Sequence, residues 1–423
     1  MFLNPEWLMQ QGKDAMLLHQ VHSAYSDHPS HIAVAVSGGG DSVALLHLAY
    51  RVVAQTGQTL SAVTVDHGLR AESATEAATV AQFCQTLNIP HTTLNWNGTE
   101  AQGNLMAAAR DARYQLIADW AKSNGIGHVM LGHTRDDEAE TFLMQLGRGA
   151  GVDGLSAMDW RPRRLGIHWG RPLHQSMRSE LRDYLTRQGI EWIDDPTNEN
   201  PKYLRSRIRA AMPQLADLGL TVDAIATSAF NQKMARAALD HYAAKEADTH
   251  LTIQGGDVIL PRNLDRLMVP QDIQRRLWLA SVMWIGGGDH APRQSGLSQI
   301  THAIRDGRDV TLNGCAVLVK RDHIRFTREL NAVRDLRCPT TEIWDGRWKL
   351  TGPHAPDLHI SAVGEEGIRQ CSDWRASGFP RPSIISSPAV WRSNTIIAAP
   401  LAGFGTEWTA QIVAPFSMGK NVH

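Results

Sequence analysis

Cysteine is scarce in this chain. Four occur in 423 residues, Cys84, Cys315, Cys338 and Cys371, far apart and without a repeated spacing. That excludes a disulfide scaffold, offers no cysteine-based zinc motif, and points to a reducing compartment, the cytoplasm. Long apolar runs are missing too: none approaches the ~20 residues of a membrane-spanning helix, so no membrane partner is expected. The N-terminus, MFLNPEWLMQQGKDAM, lacks a basic segment followed by an apolar one and does not read as a signal peptide. Neither sign of charge dominates. Lys and Arg number 42, Asp and Glu 43, for a formal net charge of −1, so the total does not announce nucleic acid. What is present, 43% hydrophobic residues over 423 positions, suffices for two or three globular domains.

One stretch organises the rest. Ile32 to Val36 (IAVAV) reads as a strand buried on both faces, followed by Ser37-Gly38-Gly39-Gly40-Asp41-Ser42 and then an apolar helical run through Tyr50. A strand, a glycine turn and a helix start form an anion site. Glycines let backbone N–H groups approach phosphate without Cβ clashes. The helix start adds free N–H groups and the positive end of its dipole. Ser37 and Ser42 can add hydroxyl donors. The turn has no Lys, so it is not the G-x-x-x-x-G-K-[ST] loop. A carboxylate, Asp41, stands there instead, which makes sense beside polyphosphate if Mg²⁺ lies between them. The pattern S-G-G-x-D-S at a strand–helix turn resembles the PP-loop of the N-type ATP pyrophosphatases, which cleave ATP between the α and β phosphates. That resemblance implies ATP bound by residues 37–42.

Further strands are expected at Leu60–Val65, His91–Trp96 and Gly127–Leu131, alternating with helices at 72–87 and 104–123. This is the pattern of a doubly wound parallel sheet, in which groups at the carboxyl ends of strands face the ligand crevice. Asp66 stands at one such end, although a turn or capping role is equally compatible. Arg110 and Arg113 lie three apart on one helix face and suit a phosphate or carboxylate partner; pairing with Asp111 is the plainer alternative. The last strand opens into Gly132-His133-Thr134-Arg135-Asp136-Asp137-Glu138-Ala139-Glu140-Thr141. Thr134 and Asp137 form a capping pair. Asp137 could also share a metal with Asp41, and Glu140 lies one turn further on. Gly149, Gly151 and Gly154 match G-x-G-x-x-G in spacing but follow a helix, so a dinucleotide site is rejected. A glycine-rich loop over the nucleotide pocket is expected.

Residues 161–209 carry eleven basic and six acidic side chains, with arginine outnumbering lysine ten to one. That composition favours bidentate phosphate contacts. Within Arg205-Ser206-Arg207-Ile208-Arg209, positions 205 and 209 share a helix face and 207 does not. Beyond Pro213 the motif density drops. Long helices are expected over 215–247, then an α+β unit with a hairpin over 309–327 turning at Asn313-Gly314, then a tail of short strands. Trp344, Trp348, Trp374, Trp391 and Trp408 in that tail are expected to be core anchors rather than base-stacking platforms. The N-terminal 31 residues read as one amphipathic helix.

Taken together, SGGGDS, VDHGLR, ARDARY, HTRDDEAET, RGAGVDGL, RPL (171–173) and DDPTNENPKYLRSRIR, in this order, closely resemble the tRNA(Ile)-lysidine synthetase family. The likeness is strong over about residues 30–215 and weak beyond. Two departures are Glu138, where the family usually has Gln, and Ser206, where Asn is common. Glu138 is expected to make the site more acidic. The resemblance implies a PP-loop catalytic domain over 1–215, a helical linker with an α+β domain over 216–330 and a β-rich domain over 331–423, the last two with tRNA contacts. It implies a carbon–nitrogen ligase using ATP, Mg²⁺, free L-lysine and the isoleucine tRNA with a CAU anticodon. By the same resemblance Asp41 and Asp137 would hold Mg²⁺, Arg113 and His133 would sit near the reacting groups, Glu140 would hold lysine, and Arg205, Arg207 and Arg209 would grip RNA. The oligomeric state is left open, a homodimer included. Three rivals stand beside this reading: a tRNA-thiolating PP-loop enzyme, an amidotransferase-type ligase and a non-catalytic tRNA-binding protein. Cys84 as the only cysteine in the catalytic half speaks against the first. The second lacks a glutaminase, and intact SGGGDS and HTRDD segments disfavour the third.

Overall fold

The three central side chains of the first strand are buried, because helices pack on both faces of its sheet. In the computed structural model, which describes residues 4–25, 27–68, 72–96, 105–194, 200–288, 291–292 and 294–418, this strand is β1, His31–Ala35. Ile32, Val34 and Val36 point into one apolar layer and Ala33 and Ala35 into the other, the period-2 alternation of a strand. With both faces buried, the strand reads as a continuous apolar run.

The chain divides into two compact units, Met1–Arg236 and Ala237–His423. The first holds a six-stranded sheet in the order β3-β2-β1-β4-β6-β5. Its strands are β1, β2 (Thr59–Asp66), β3 (His91–Asn95), β4 (His128–Leu131), β5 (Arg163–Arg164) and β6 (Ile167–Gly170). All neighbours are parallel except β5, which runs antiparallel to β6. Helices α1 (Pro5–Gln10) and α2 (Ala15–His22) precede β1. The N-terminal stretch is therefore two helices rather than the one expected. The break falls at Gly12, whose φ of +57° leaves helical space. Then come α3 (Gly40–Thr56), α4 (Ser73–Thr86), α5 (Leu105–Ser123), α6 (Arg135–Leu146), α7 (Val152–Leu155), α8 (Arg178–Gln188) and α9 (Leu204–Asp217).

Strands added after β1 build outward in one direction through β2 and β3. The chain then returns to the other side of β1 with β4 and β6. The order reverses between β1 and β4. In an open α/β sheet that switch point, at the carboxyl ends of the strands, is where ligands bind. The glycine turn 37–42 and the start of α6 both emerge there.

The long helix α10 (Val222–His250) carries the chain into the second unit. That unit has a five-stranded antiparallel sheet built from residues 252–328 and, after it, four-stranded and two-stranded sheets from residues 338–412. Asn313 (φ +50°) and Gly314 (φ +70°) form the two-residue turn that the hairpin pattern requires. Trp344, Trp348, Trp391 and Trp408 are buried and anchor the cores of this unit, while Trp374 is half-buried. Among the described residues no helix is long and apolar enough to cross a membrane.

Candidate active site

The glycine turn is held in shape by its own serine. Ser42 Oγ donates to the Gly39 carbonyl at 2.9 Å and accepts from the Ser37 N–H at 3.1 Å. Ser42 is thus a staple inside the turn, and the more exposed Ser37 keeps the outward position. Gly38 has φ +88°, and a Cβ there would strike Ile193, whose N–H donates to the Gly38 carbonyl. A Cβ on Gly132, at the end of β4, would lie 3.0 Å from the Asp41 carbonyl and the Ser42 Cα. Only glycine lets β4 pass this close to the first turn of α3. That contact brings the two helix starts side by side.

Helix α6 begins with a full capping box. Thr134 Oγ1 and the Thr134 N–H both donate to Asp137 Oδ2, at 3.0 and 2.9 Å. Asp137 uses one carboxylate oxygen for this cap and turns the other outward. Burial works against its charge, but the Arg178 charge, the Thr134 N–H and the Arg205 charge outweigh it, and its pKa is held low. Glu138, expected to add acidity to the site, accepts the Met158 N–H with both oxygens, at 2.9 and 3.1 Å, fastening the following loop, and its charge still interacts with Arg171 and Asp137.

Arg178, the first residue of α8, lies among four carboxylates. Its Nε is 3.2 Å from Asp41, its Nη1 3.3 Å from Glu140 and 3.8 Å from Asp136, and its Nη2 3.5 Å from Asp137. Asp41 and Asp137, 96 positions apart in the chain, thus flank one guanidinium. Asp41 has a pKa raised to about 6: burial raises it most, the Arg178 charge pulls it back, and the Asp137 charge raises it again.

Glu140 is only 2% exposed at its side chain and is fully engaged. Arg209 donates to it from Nε at 2.8 Å and from Nη2 at 3.1 Å, and Arg178 from Nη1 at 3.3 Å. Arg205 donates to Thr141 Oγ1 at 3.0 Å and lies 3.8 Å from Asp137. Of the three arginines expected to grip RNA, 205 and 209 therefore turn inward onto α6, and Arg207 alone is exposed on the opposite face.

On the other side of the crevice His133 accepts from Arg171 Nε at 3.1 Å. Burial, then the Arg171 charge, pushes the imidazole down to about 3. Arg113 reaches solvent, yet enough protein surrounds it, with Arg110 beside it, to lower its pKa. Asp111 does not pair with either; it takes Arg164 at 2.9 Å. Asp66 accepts the Gly68 N–H at 2.8 Å and is a turn residue. Residues 69 and 70 of VDHGLR and 195–199 of DDPTNENP lie outside the described residues. Sequence reasoning named neither Arg178, Arg171 nor Gly132 as site residues.

Residues 13–215 match the PP-loop domain family. Over 96% of its length and 96% of the relative's, the chain is 45% identical to the tRNA(Ile)-lysidine synthase of Ruegeria pomeroyi. The chain belongs to the tRNA(Ile)-lysidine synthase family. Its likeness to the Wolbachia pipientis wMel tRNA(Ile)-lysidine synthase is 34% over 79% of this chain and 80% of that one. The Rhodopseudomonas palustris member is 44% identical over 49% of this chain and 61% of its own. The fold agrees with a lysidine synthase built on a PP-loop: a parallel sheet whose switch point carries SGGGDS.

Proposed function

We propose that this chain is an ATP-dependent ligase that joins free lysine to C2 of the wobble cytidine in the CAU anticodon of an isoleucine tRNA, giving lysidine, AMP and diphosphate. The cytidine C2 oxygen attacks the α-phosphorus of ATP, and diphosphate leaves. An amine of lysine then forms a bond to C2. The C2–O bond breaks, the oxygen departs with AMP, and the amine loses its proton. The observation that carries this reading is the meeting of SGGGDS and HTRDDEAET at one switch point, in a chain 45% identical to a lysidine synthase over 96% of its length.

Each residue has a role the geometry can support. The N–H groups of the 37–42 turn and the start of α3 face where departing diphosphate would lie. Attack on an α-phosphate is governed by positioning and charge neutralisation. Arg113 and His133 would sit near the α-phosphate or the cytidine. Among the described residues no three His, Cys, Asp or Glu side chains converge as a metal cage. Mg²⁺ needs only one or two carboxylates, with phosphate and water completing its shell, and Asp41 and Asp137 on either side of Arg178 fit that need. When bound, Mg²⁺ supplies charge neutralisation at the phosphates. Arg178 and the cation compete for the same oxygens. Glu140, proposed from the sequence as the lysine contact, has its carboxylate clamped by Arg178 and Arg209. A lysine ammonium would reach it only by displacing one of them, so its contact-supported role is to seat these arginines.

Sulfur transfer is the poorer reading. Cys84 is fully buried and its thiol is pushed up to about 11 by that burial, whereas thiol chemistry wants an accessible thiolate. The test is diphosphate and AMP release from ATP by the whole chain. AMP release and sustained diphosphate release should require both lysine and tRNA with a CAU anticodon, tRNA without lysine should give no more than one diphosphate per site, and sulfide or ammonia should not replace lysine. Turnover without lysine, or with sulfide in its place, would overturn the assignment.

RNA binding makes a separate prediction. Arg207 is exposed, and the strip 161–209 is rich in arginine. Affinity for the tRNA should fall steeply with salt, and Arg207→Ala should reduce the log–log slope by about 0.7–0.9, the share of one phosphate contact. Filter binding between low and moderate salt reads this directly; a flat salt response would remove the strip from the RNA surface.

A further inference from the structure

Arg171 opens the Arg171-Pro172-Leu173 segment that follows β6. It is almost wholly buried, at 8% exposure, and contributes no charge to the carboxylate cluster. Its guanidinium is fixed at two points. Nη1 donates to the Asp159 carbonyl, and Nε donates to His133 Nδ1 at 3.1 Å. A guanidinium is only ever a donor and keeps its charge in proteins. Nδ1 of His133 must therefore be an acceptor and carry no proton. In a neutral imidazole the hydrogen then sits on Nε2.

We infer that Arg171 is a positioning residue that locks His133 in the neutral Nε2–H form, making it a hydrogen-bond donor toward a substrate oxygen and not a proton acceptor. Neither ring nitrogen is left to take a proton: one lone pair is held by Arg171 and the other nitrogen carries hydrogen. Proton removal from the lysine amine is therefore not the work of His133. The oxygen it addresses is a phosphoryl or carbonyl oxygen on which negative charge builds during transfer. The other charged groups around the ring are Asp137, Arg110 and Arg205. Two of these are cations, which with Arg171 oppose a third positive charge; Asp137 works the other way but is engaged by its own cap and by Arg178. The inference rests on the proposed function in placing His133 against the reacting groups.

The test is ¹⁵N NMR of the full chain with labelled histidine, alongside kinetics of variants. Wild-type His133 should show an unprotonated Nδ1 and a protonated Nε2 that stay unchanged from about pH 5 to 9, well across the ordinary histidine pKa of about 6.5. Arg171→Met, which removes the donor, should free the ring to exchange tautomers and to titrate nearer its ordinary value. Gln places an amide nitrogen where His carries Nε2. His133→Gln should therefore recover at least tenfold of the roughly 10²–10³-fold loss in kcat expected for His133→Ala. A proton on Nδ1 in the wild-type protein overturns the inference even if Arg171→Met does not fold. Equal activity of the Gln and Ala variants, both impaired, also overturns the donor role. If the Nε2–H form is found but His133→Ala turns over at the full rate, the placement of His133 at the reaction fails and the lock by Arg171 stands.

Discussion

Asp41→Asn is expected to abolish lysine incorporation into tRNA, by at least about a thousandfold in kcat, while making the protein more stable at pH 8. The two effects share a cause. The fold raises the Asp41 pKa to about 6, above the ordinary aspartate value of 3.8, chiefly by burial. A carboxyl group whose pKa is raised on folding contributes stability that is complete below its unfolded pKa. That contribution is lost as pH rises through the folded value. At pH 8 the ionised side chain therefore burdens the fold, and a neutral amide of the same shape relieves it by about 1–3 kcal/mol. Thermal melts should show the variant above wild type at pH 8 and the difference shrinking toward pH 5. In the wild-type enzyme the same titration predicts that activity falls as pH drops through about 6, because the protonated acid can hold neither cation nor Arg178. A variant that keeps its activity would take Asp41 out of the mechanism. A variant less stable than wild type at pH 8 would mean that the Arg178 contact outweighs burial.

Arg178→Gln should be the most damaging single change to the site. One guanidinium is shared by Asp41, Asp136, Asp137 and Glu140. After its loss Arg205 and Arg209 still face Asp137 and Glu140, but Asp41 and Asp136 lose their arginine. Removing one partner from a buried ionic cluster costs about 3–5 kcal/mol. The Arg178 charge also pulls the Asp41 pKa down, so its removal should move the acid limb of the pH profile to higher pH. Millimolar Mg²⁺ without nucleotide should restore more of the melting temperature in this variant than it adds to wild type, since the ion then meets carboxylates without a competitor. Differential scanning calorimetry with and without Mg²⁺ reads both quantities. An unchanged melting temperature, or an acid limb that stays near pH 6, would show that Arg178 is peripheral to the cluster.

The parts of the fold legible in the sequence were those written locally. IAVAV followed by three glycines, the Thr134–Asp137 capping pair and the Asn313-Gly314 turn each specify their geometry within a few residues. The 3.6-residue period put Arg205 and Arg209 on one face correctly. It could not say whether that face looks to solvent or to α6, because the partner carboxylate of Glu140 lies 69 positions away. The same distance hides Arg178 and Arg171. In the strip 161–209 they are two arginines among ten, and only the tertiary arrangement separates them from their neighbours. Glu138 shows the same limit. The HTRDDEAET segment placed an extra carboxylate by the site, but successive residues of a helix point to different sides, and the local pattern could not show that this one also fastens Met158. The N-terminal helix broke where a single glycine overrode an otherwise amphipathic pattern.

The distance in sequence between Asp41 and Arg178, 137 positions, has a consequence during synthesis. At translation speeds of about 5–20 residues per second, the acidic turn leaves the ribosome roughly 7–30 s before the arginine that neutralises it. For that interval the nascent chain carries an uncompensated negative notch at its half-built sheet. Completion of the nucleotide site therefore waits on the emergence of α8, and a chain stalled before it would hold the glycine turn without its counter-charge.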